Sequence, residues 1–283
     1  MIEELRSKAK ELLKNKQVDL IIGYQRASDG VSAMPCLIEN EDDASKLIWD
    51  AHCVYNLSNY LKEFPGKRKG IVAKACDIKS IIVLLQEHQL KREELFIIGI
   101  KCSGVIDEGA GFAEKCKSCK SLVPFYRDIL IEGNEANPEI SEIEQDEYSS
   151  IHKMEAKSTG ERLKFWAGEF SGCIRCYACR QVCPLCYCPR CVADQEMPAY
   201  FSKGVSLEGN FSWNVTRAIH LAGRCIDCGE CERACSAKIP LRDLNKKIEK
   251  DIKELFNYEA GLNIEQKPVL SCFDKNDPAD FIK

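Results

Sequence analysis

Two stretches of the chain repeat one spacing of cysteines. Residues 173–184 read CIRCYACRQVCP and residues 225–235 read CIDCGECERAC, so Cys173, Cys176, Cys179 and Cys183 recur as Cys225, Cys228, Cys231 and Cys235 in the order C-x2-C-x2-C-x3-C. This constrains the fold more than any hydrophobic pattern does. Three cysteines two residues apart can wrap a compact turn around three irons of one 4Fe-4S cubane, and the fourth in each run reaches the other cubane. The spacing therefore predicts crossed ligation. Cys173, Cys176 and Cys179 pair with Cys235, and Cys225, Cys228 and Cys231 pair with Cys183. Pro184 turns the chain away after the first run, whereas Ser236 stands at the matching place after the second. The serine is expected to weaken that turn without touching ligation. Structural zinc is the plainer reading of CxxC pairs, but a tetrahedral site needs two knuckles rather than two matched runs of four. Cys179, Cys183 and Cys186 also spell C-x3-C-x2-C, the spacing of radical S-adenosylmethionine enzymes. Two of those three already belong to the runs, and no series of βα repeats surrounds them.

The chain holds 18 cysteines in 283 residues. A secreted disulfide scaffold would need a signal segment, and the opening MIEELRSKAKELLKNKQ is charged and helical, without an apolar core. No apolar run is long enough to span a bilayer, so no membrane span is expected. Lys and Arg number 40 against 44 Asp and Glu, a net charge of −4. That balance removes the positive field on which nucleic-acid binding depends. The expectation is a cytoplasmic protein in a reducing compartment, where so many thiols imply metal or redox chemistry.

The first third reads as α/β. DLIIG (19–23), GIVAKA (70–75) and LFIIGI (95–100) are continuous apolar runs, as strands buried on both faces show. Ile78, Ile81, Ile82 and Leu85 recur at helical spacing between the second and third, so 77–89 reads as an amphipathic helix begun by Asp77. The resulting βαβ crossover puts both strand ends on one edge of a parallel sheet. Cys76 ends one strand and Cys102 the next, facing the crevice where open sheets bind ligands. Cys116 and Cys119 follow as CKSC. Four thiolates could converge there, although Cys76 and Cys102 read equally well as small buried apolar residues.

From Glu132 to Glu147 the chain is acidic without one basic residue, around Asn137-Pro138. This reads as a solvated linker, or as an acidic docking face. Residues 159–167 suggest a short helix. A longer one is expected from Pro240, with Leu241, Leu244, Ile248, Ile252 and Leu255 on one stripe and Gly261 past its end. The division expected is 1–131, an acidic linker 132–158, a two-cluster domain 159–262 and a tail 263–283. Cys186, Cys188 and Cys191 lack a local fourth ligand; Cys36, or Cys53 after His52, could supply one, and ordinary thiols are the alternative. Cys272 stands alone, and His52 and His220 read as packed or capped side chains.

AKACDIKS (73–80), IGIKCSGVID (98–107) and CKSC (116–119), in that order, resemble the beta subunits of hydrogenases and dehydrogenases that act on the deazaflavin coenzyme F(420), including formate dehydrogenase beta subunits. The resemblance spans residues 18–130. It implies that Cys76, Cys102, Cys116 and Cys119 hold a third 4Fe-4S cluster near a flavin. The glycine-rich stretch that the family uses near its flavin is missing after CKSC, so FAD has no evident seat. The GAG at 109–111 neither follows a strand nor opens a helix. RCYACRQVCPLCYCPRC and GRCIDCGECERAC are similar to dicluster subunits found alongside hydrogenase, formate dehydrogenase and heterodisulfide-reductase-like flavoproteins in anaerobes. The fold expected is an α/β N-terminal domain with a mostly parallel sheet, joined to an α+β two-cluster ferredoxin-like domain. The function expected is electron transfer between a flavoprotein subunit and a catalytic subunit. The alternative is a flavin-containing catalytic beta subunit working on a deazaflavin or nicotinamide coenzyme, and a zinc-stabilised interaction module is a third reading.

Overall fold

The computed structural model describes residues 1–107, 111–132, 146–272 and 275. Most of the acidic stretch (133–145), two residues of the GAG (109–110) and part of the tail (273–274 and 276–283) lie outside them. Two compact units are formed, Met1–Glu147 with Gly261–Ile264, and Tyr148–Ala260 with Glu265–Lys283. Among the described residues no helix is long and apolar enough to cross a membrane.

The first unit opens with α1 (Ile2–Lys14), whose Leu5, Ala9 and Leu12 are spaced to make one apolar face, and all three are fully buried. Its sheet runs β1 (Leu20–Arg26), β2 (Ala33–Ile38), β3 (Lys69–Ala73), β4 (Leu95–Ile100) and β7 (Ile129–Ile131), in the spatial order β2-β1-β3-β4-β7. Every pairing is parallel except β1 with β2. The three apolar runs of the sequence form the central strands, with Ile21, Ile22, Ile71, Val72, Ile97 and Ile98 at 0% exposure. A mostly parallel sheet covered on both faces accounts for that unbroken apolar character.

The crossover helix α2 covers Ala75–Gln86 rather than 77–89. Asp77 is its third residue, not its cap: the carboxylate accepts the Lys74 backbone N–H at 2.8 Å and that of Leu57 at 2.8 Å. Cys76 accordingly sits in the first turn of the helix, one step beyond the strand end expected for it. The hairpin β5 (Ile106–Asp107) with β6 (Gly111–Phe112), and the short α3 (Glu114–Lys117), follow β4. Gly261 does not cap the helix before it. With φ +76°, it lies against α2 so closely that a Cβ would stand 2.3 Å from the Lys79 carbonyl oxygen, a place only glycine can take.

The second unit is built from α4 (Ser149–Glu155), α5 (Thr159–Ser171), α6 (Ala178–Gln181), α7 (Leu207–His220), α8 (Glu230–Arg233) and α9 (Leu241–Phe256). Among its described residues no strand is present, so the β part of the expected α+β character is not formed there. The cysteine runs occupy tight loops whose hydrogen bonds close within each loop, which leaves no edge for a ladder. The sequence places the start of α5 correctly, where Ser158 and Glu161 cap each other, but the helix continues to Ser171. α9 starts after Pro240 and stops at Asn257 in the left-handed conformation (φ +48°), before Gly261 is reached. Phe170, Ile239 and Leu241 form its core, with Cys173, Cys179, Cys231 and Cys235 packed against them.

Candidate metal centres

The two cysteine runs fold alike. In each, the residue before the second cysteine and the one after it take positive φ: Arg175 (56°) and Tyr177 (61°) in the first, Asp227 (57°) and Gly229 (71°) in the second. Each then enters a four-residue helix, α6 or α8. The hydrogen bonds repeat as well, with Gln181 N to Tyr177 O at 3.1 Å matched by Arg233 N to Gly229 O at 3.0 Å, and Cys183 N to Arg180 O at 3.3 Å by Cys235 N to Glu232 O at 3.0 Å. The turn after the fourth cysteine also forms twice: Cys186 N meets Cys183 O at 3.2 Å, and Lys238 N meets Cys235 O at 3.0 Å. Ser236 thus costs the second turn nothing visible, because the backbone bond closing it does not involve residue 236.

These loops enclose two cavities. Cys173, Cys176, Cys179 and Cys235 line one. Cys183, Cys225, Cys228 and Cys231 line the other. Each group takes three thiols from one run and the fourth from the other. Among the described residues no three Cys, His, Asp or Glu side chains converge as the ligands of a single metal ion do. The thiols stand around open space instead of meeting at a point, and four soft sulfur donors around a cavity fit an iron–sulfur group.

Burial governs the thiols. It pushes Cys231 up to about 12 and raises Cys179, while Cys225 and Cys228 rise well above the ordinary thiol value through burial and then the nearby carboxylates of Glu249 and Glu230. Cys183 moves the other way, down to about 6, because the Cys186 thiol donates to it and Arg217 lies close. Side chains that carry no sulfur complete the walls. Arg175, 6% exposed, lines the first cavity and donates to Gly209 O at 2.9 Å and to Tyr177 Oη at 3.0 Å. Asn245 directs its amide at Cys231 Sγ, 3.9 Å away, and Asn210 donates to Cys173 O at 2.7 Å. Around the second cavity Arg242 is clamped by Asp227 at 2.6 and 2.7 Å.

In the first unit, Cys76 from α2, Cys102 after β4, and Cys116 and Cys119 from and just after α3 come together. The Cys102 thiol feels the charges of Cys116 and Cys119, and Cys76 feels that of Cys102. Cys102 and Cys116 pack on Val54, Val105 and Ala113. Burial lifts Cys76 to about 12 and Cys102 to about 11. Two ammonium groups oppose that trend at Cys76, those of Lys74 and Lys115. Lys74 is fully enclosed, donates to Tyr55 O at 2.7 Å and to the Tyr24 hydroxyl, and pairs with Asp77 at 3.1 Å. Lys115 donates to Val54 O at 2.7 Å. Four thiols with two cations beside them suit an anionic cluster.

Cys36 and Cys53 are buried in the core of the first unit, where burial pushes them up to about 11 and about 12. Cys186 is paired with Cys183, Cys191 lies beside Arg180, and Cys188 is exposed. Sequence reasoning missed α7 and its buried polar face. Asn210, Trp213, Asn214 and Arg217 share one face at spacings of three and four, a helical stripe legible in SLEGNFSWNVTRAIH had a polar core been sought.

No family model matches the chain. It is 21% identical to "F420-dependent formate dehydrogenase subunit beta" of Methanocaldococcus jannaschii, over 93% of this chain and 92% of that protein. It is 22% identical to "F420-dependent formate dehydrogenase 1 subunit beta" of Methanococcus maripaludis, with 93% and 92% covered. Both alignments are longer than the chain itself, so these relatives carry stretches that it lacks. With the motif order around Cys76, Cys102, Cys116 and Cys119 and two matches along nearly its whole length, the chain is similar to the beta subunits of these formate dehydrogenases.

Proposed function

We propose that the chain is an iron–sulfur electron-transfer subunit of an anaerobic multi-subunit oxidoreductase, relaying single electrons between a flavoprotein subunit and a catalytic subunit of the hydrogenase, formate dehydrogenase or heterodisulfide-reductase-like kind. The observation that carries it is the crossed lining of the two cavities, three thiols of one run with the fourth of the other. The 4Fe-4S groups supply one-electron redox capacity when bound. The chain does the rest. Cys173, Cys176, Cys179 and Cys235 hold one cluster, Cys225, Cys228, Cys231 and Cys183 the second, and Cys76, Cys102, Cys116 and Cys119 a third. Asn245 offers an N–H to the Cys231 sulfur, which favours added electron density there. Phe170, Ile239 and Leu241 keep water from the inner sulfurs. Cys176 is exposed, so the first cluster has the shorter way to a partner.

A second reading has support in the relatives' names, which call the formate dehydrogenase they belong to F420-dependent. It makes the chain a flavin-containing catalytic beta subunit that reduces or oxidises a deazaflavin or nicotinamide coenzyme. Anaerobically purified full-length protein decides between them. The relay reading expects iron–sulfur absorbance, no stoichiometric flavin on acid release, and coenzyme turnover only after a flavoprotein partner is added. One flavin per chain with direct coenzyme reduction would overturn it.

A further inference from the structure

The second unit buries a cation that the thiol ligands alone do not explain. Arg217, in the last turn of α7, is 5% exposed. Its Nη2 donates to Cys179 O at 2.9 Å, and among the described residues its Nε–H meets no acceptor. The guanidinium lines the cavity of Cys183, Cys225, Cys228 and Cys231. The groups that act on it most strongly are the sulfurs of Cys183, Cys231, Cys186 and Cys179. Other cations of the second cavity are matched: Arg242 sits on Asp227, and Lys246 on Asp227 at 3.0 Å and Glu249 at 3.1 Å.

A guanidinium withdrawn from water without a counter-ion is among the most expensive groups a protein can bury. Neutral thiols do not offset that cost, whereas thiolates on an anionic cluster do. Arg217 also reaches both sets, bonding to the Cys179 carbonyl of the first and lining the cavity with Cys183 and Cys231 of the second. Reduction adds a negative charge to a poorly solvated group, and a fixed positive charge beside it favours the reduced form.

We infer that Arg217 is the shared positioning cation of the two-cluster unit, holding both reduction potentials up and the second cluster's more than the first's. This rests on the reading that both cavities hold 4Fe-4S clusters. Full-length protein, purified anaerobically, is tested for iron and titrated with dithionite under EPR. The wild type must show both clusters; their absence refutes the underlying reading, and this assignment with it. Arg217→Met is then expected to keep its iron and to weaken reduction of the second cluster at least tenfold, 59 mV for one electron. The first cluster shifts less, with the same sign. Arg217→Lys restores both. Unchanged potentials in an iron-replete Arg217→Met variant overturn the inference, as does Arg217→Lys shifted as far as Arg217→Met. Should Arg217→Met lose its iron, Arg217→Lys decides alone: wild-type iron and potentials sustain the inference, and lost iron overturns it.

Discussion

Replacing Cys183 by alanine separates crossed from local ligation, because Cys183 belongs to the first run but lines the second cavity. The side chain is 8% exposed. Deleting one small buried group removes packing worth about 1 kcal/mol, a minor part of the ~5–15 kcal/mol that stabilises a domain. The fold should survive, which far-UV circular dichroism verifies. Ligation is another matter, since one of four thiols disappears from a site that has no spare within its walls. We expect a loss of about four irons per chain, disappearance of the magnetic coupling between the two clusters, and a residual EPR signal equal to that of Cys225→Ala. Cys235→Ala should in turn resemble Cys173→Ala. Cys186 complicates the measurement, because its thiol already bonds to Cys183 and could move into the vacated place. Cys186→Ala alone should keep all the iron, and the Cys183→Ala, Cys186→Ala double variant should lose no more than one cluster. A Cys183→Ala spectrum matching that of Cys173→Ala would refute the crossed assignment.

Cys102→Ala should remove about four irons from the first unit while leaving the coupled EPR signal of the second intact; unchanged iron would return Cys76 and Cys102 to simple packing roles. Lys74→Met would leave Asp77 buried with only two backbone donors, costing about 3–5 kcal/mol, read as a lower urea midpoint; an unchanged midpoint argues against the buried pair. Gly261→Ala forces a Cβ onto the Lys79 carbonyl in a left-handed conformation. The cost of about 2–4 kcal/mol should appear as a lowered thermal midpoint of the first unit, and an unshifted transition would show that the close approach is not needed.

The sequence was most legible where chemistry restricts the backbone. DLIIG, GIVAKA and LFIIGI became β1, β3 and β4 because strands covered on both faces tolerate nothing polar. β2 escaped notice for the opposite reason. It is an edge strand with Pro35 in its middle and Met34 and Leu37 exposed, so its pattern is broken. β7 is three residues long, too short for periodicity to register. The repeated cysteine spacing is matched by a repeated backbone, since both runs fold alike. Arg217, Asn210 and Asn245 remained hidden because their partners are sulfurs and loop carbonyls that only the folded chain brings to them. The start of α9 was marked by Pro240, while its end depends on Asn257 adopting a conformation that asparagine takes only occasionally.

The interleaving of the two runs bears on how the protein is made. A chain emerging from the ribosome presents Cys173, Cys176 and Cys179 early, but the cavity they line stays open on one side until Cys235 has followed. Cys183 waits in the same way for Cys225, Cys228 and Cys231. Neither pocket can be completed until both runs have been made. The four free thiols of the first run, left waiting through that interval, are exposed to stray metal and oxidant, which favours a nascent chain shielded by the factors that load it.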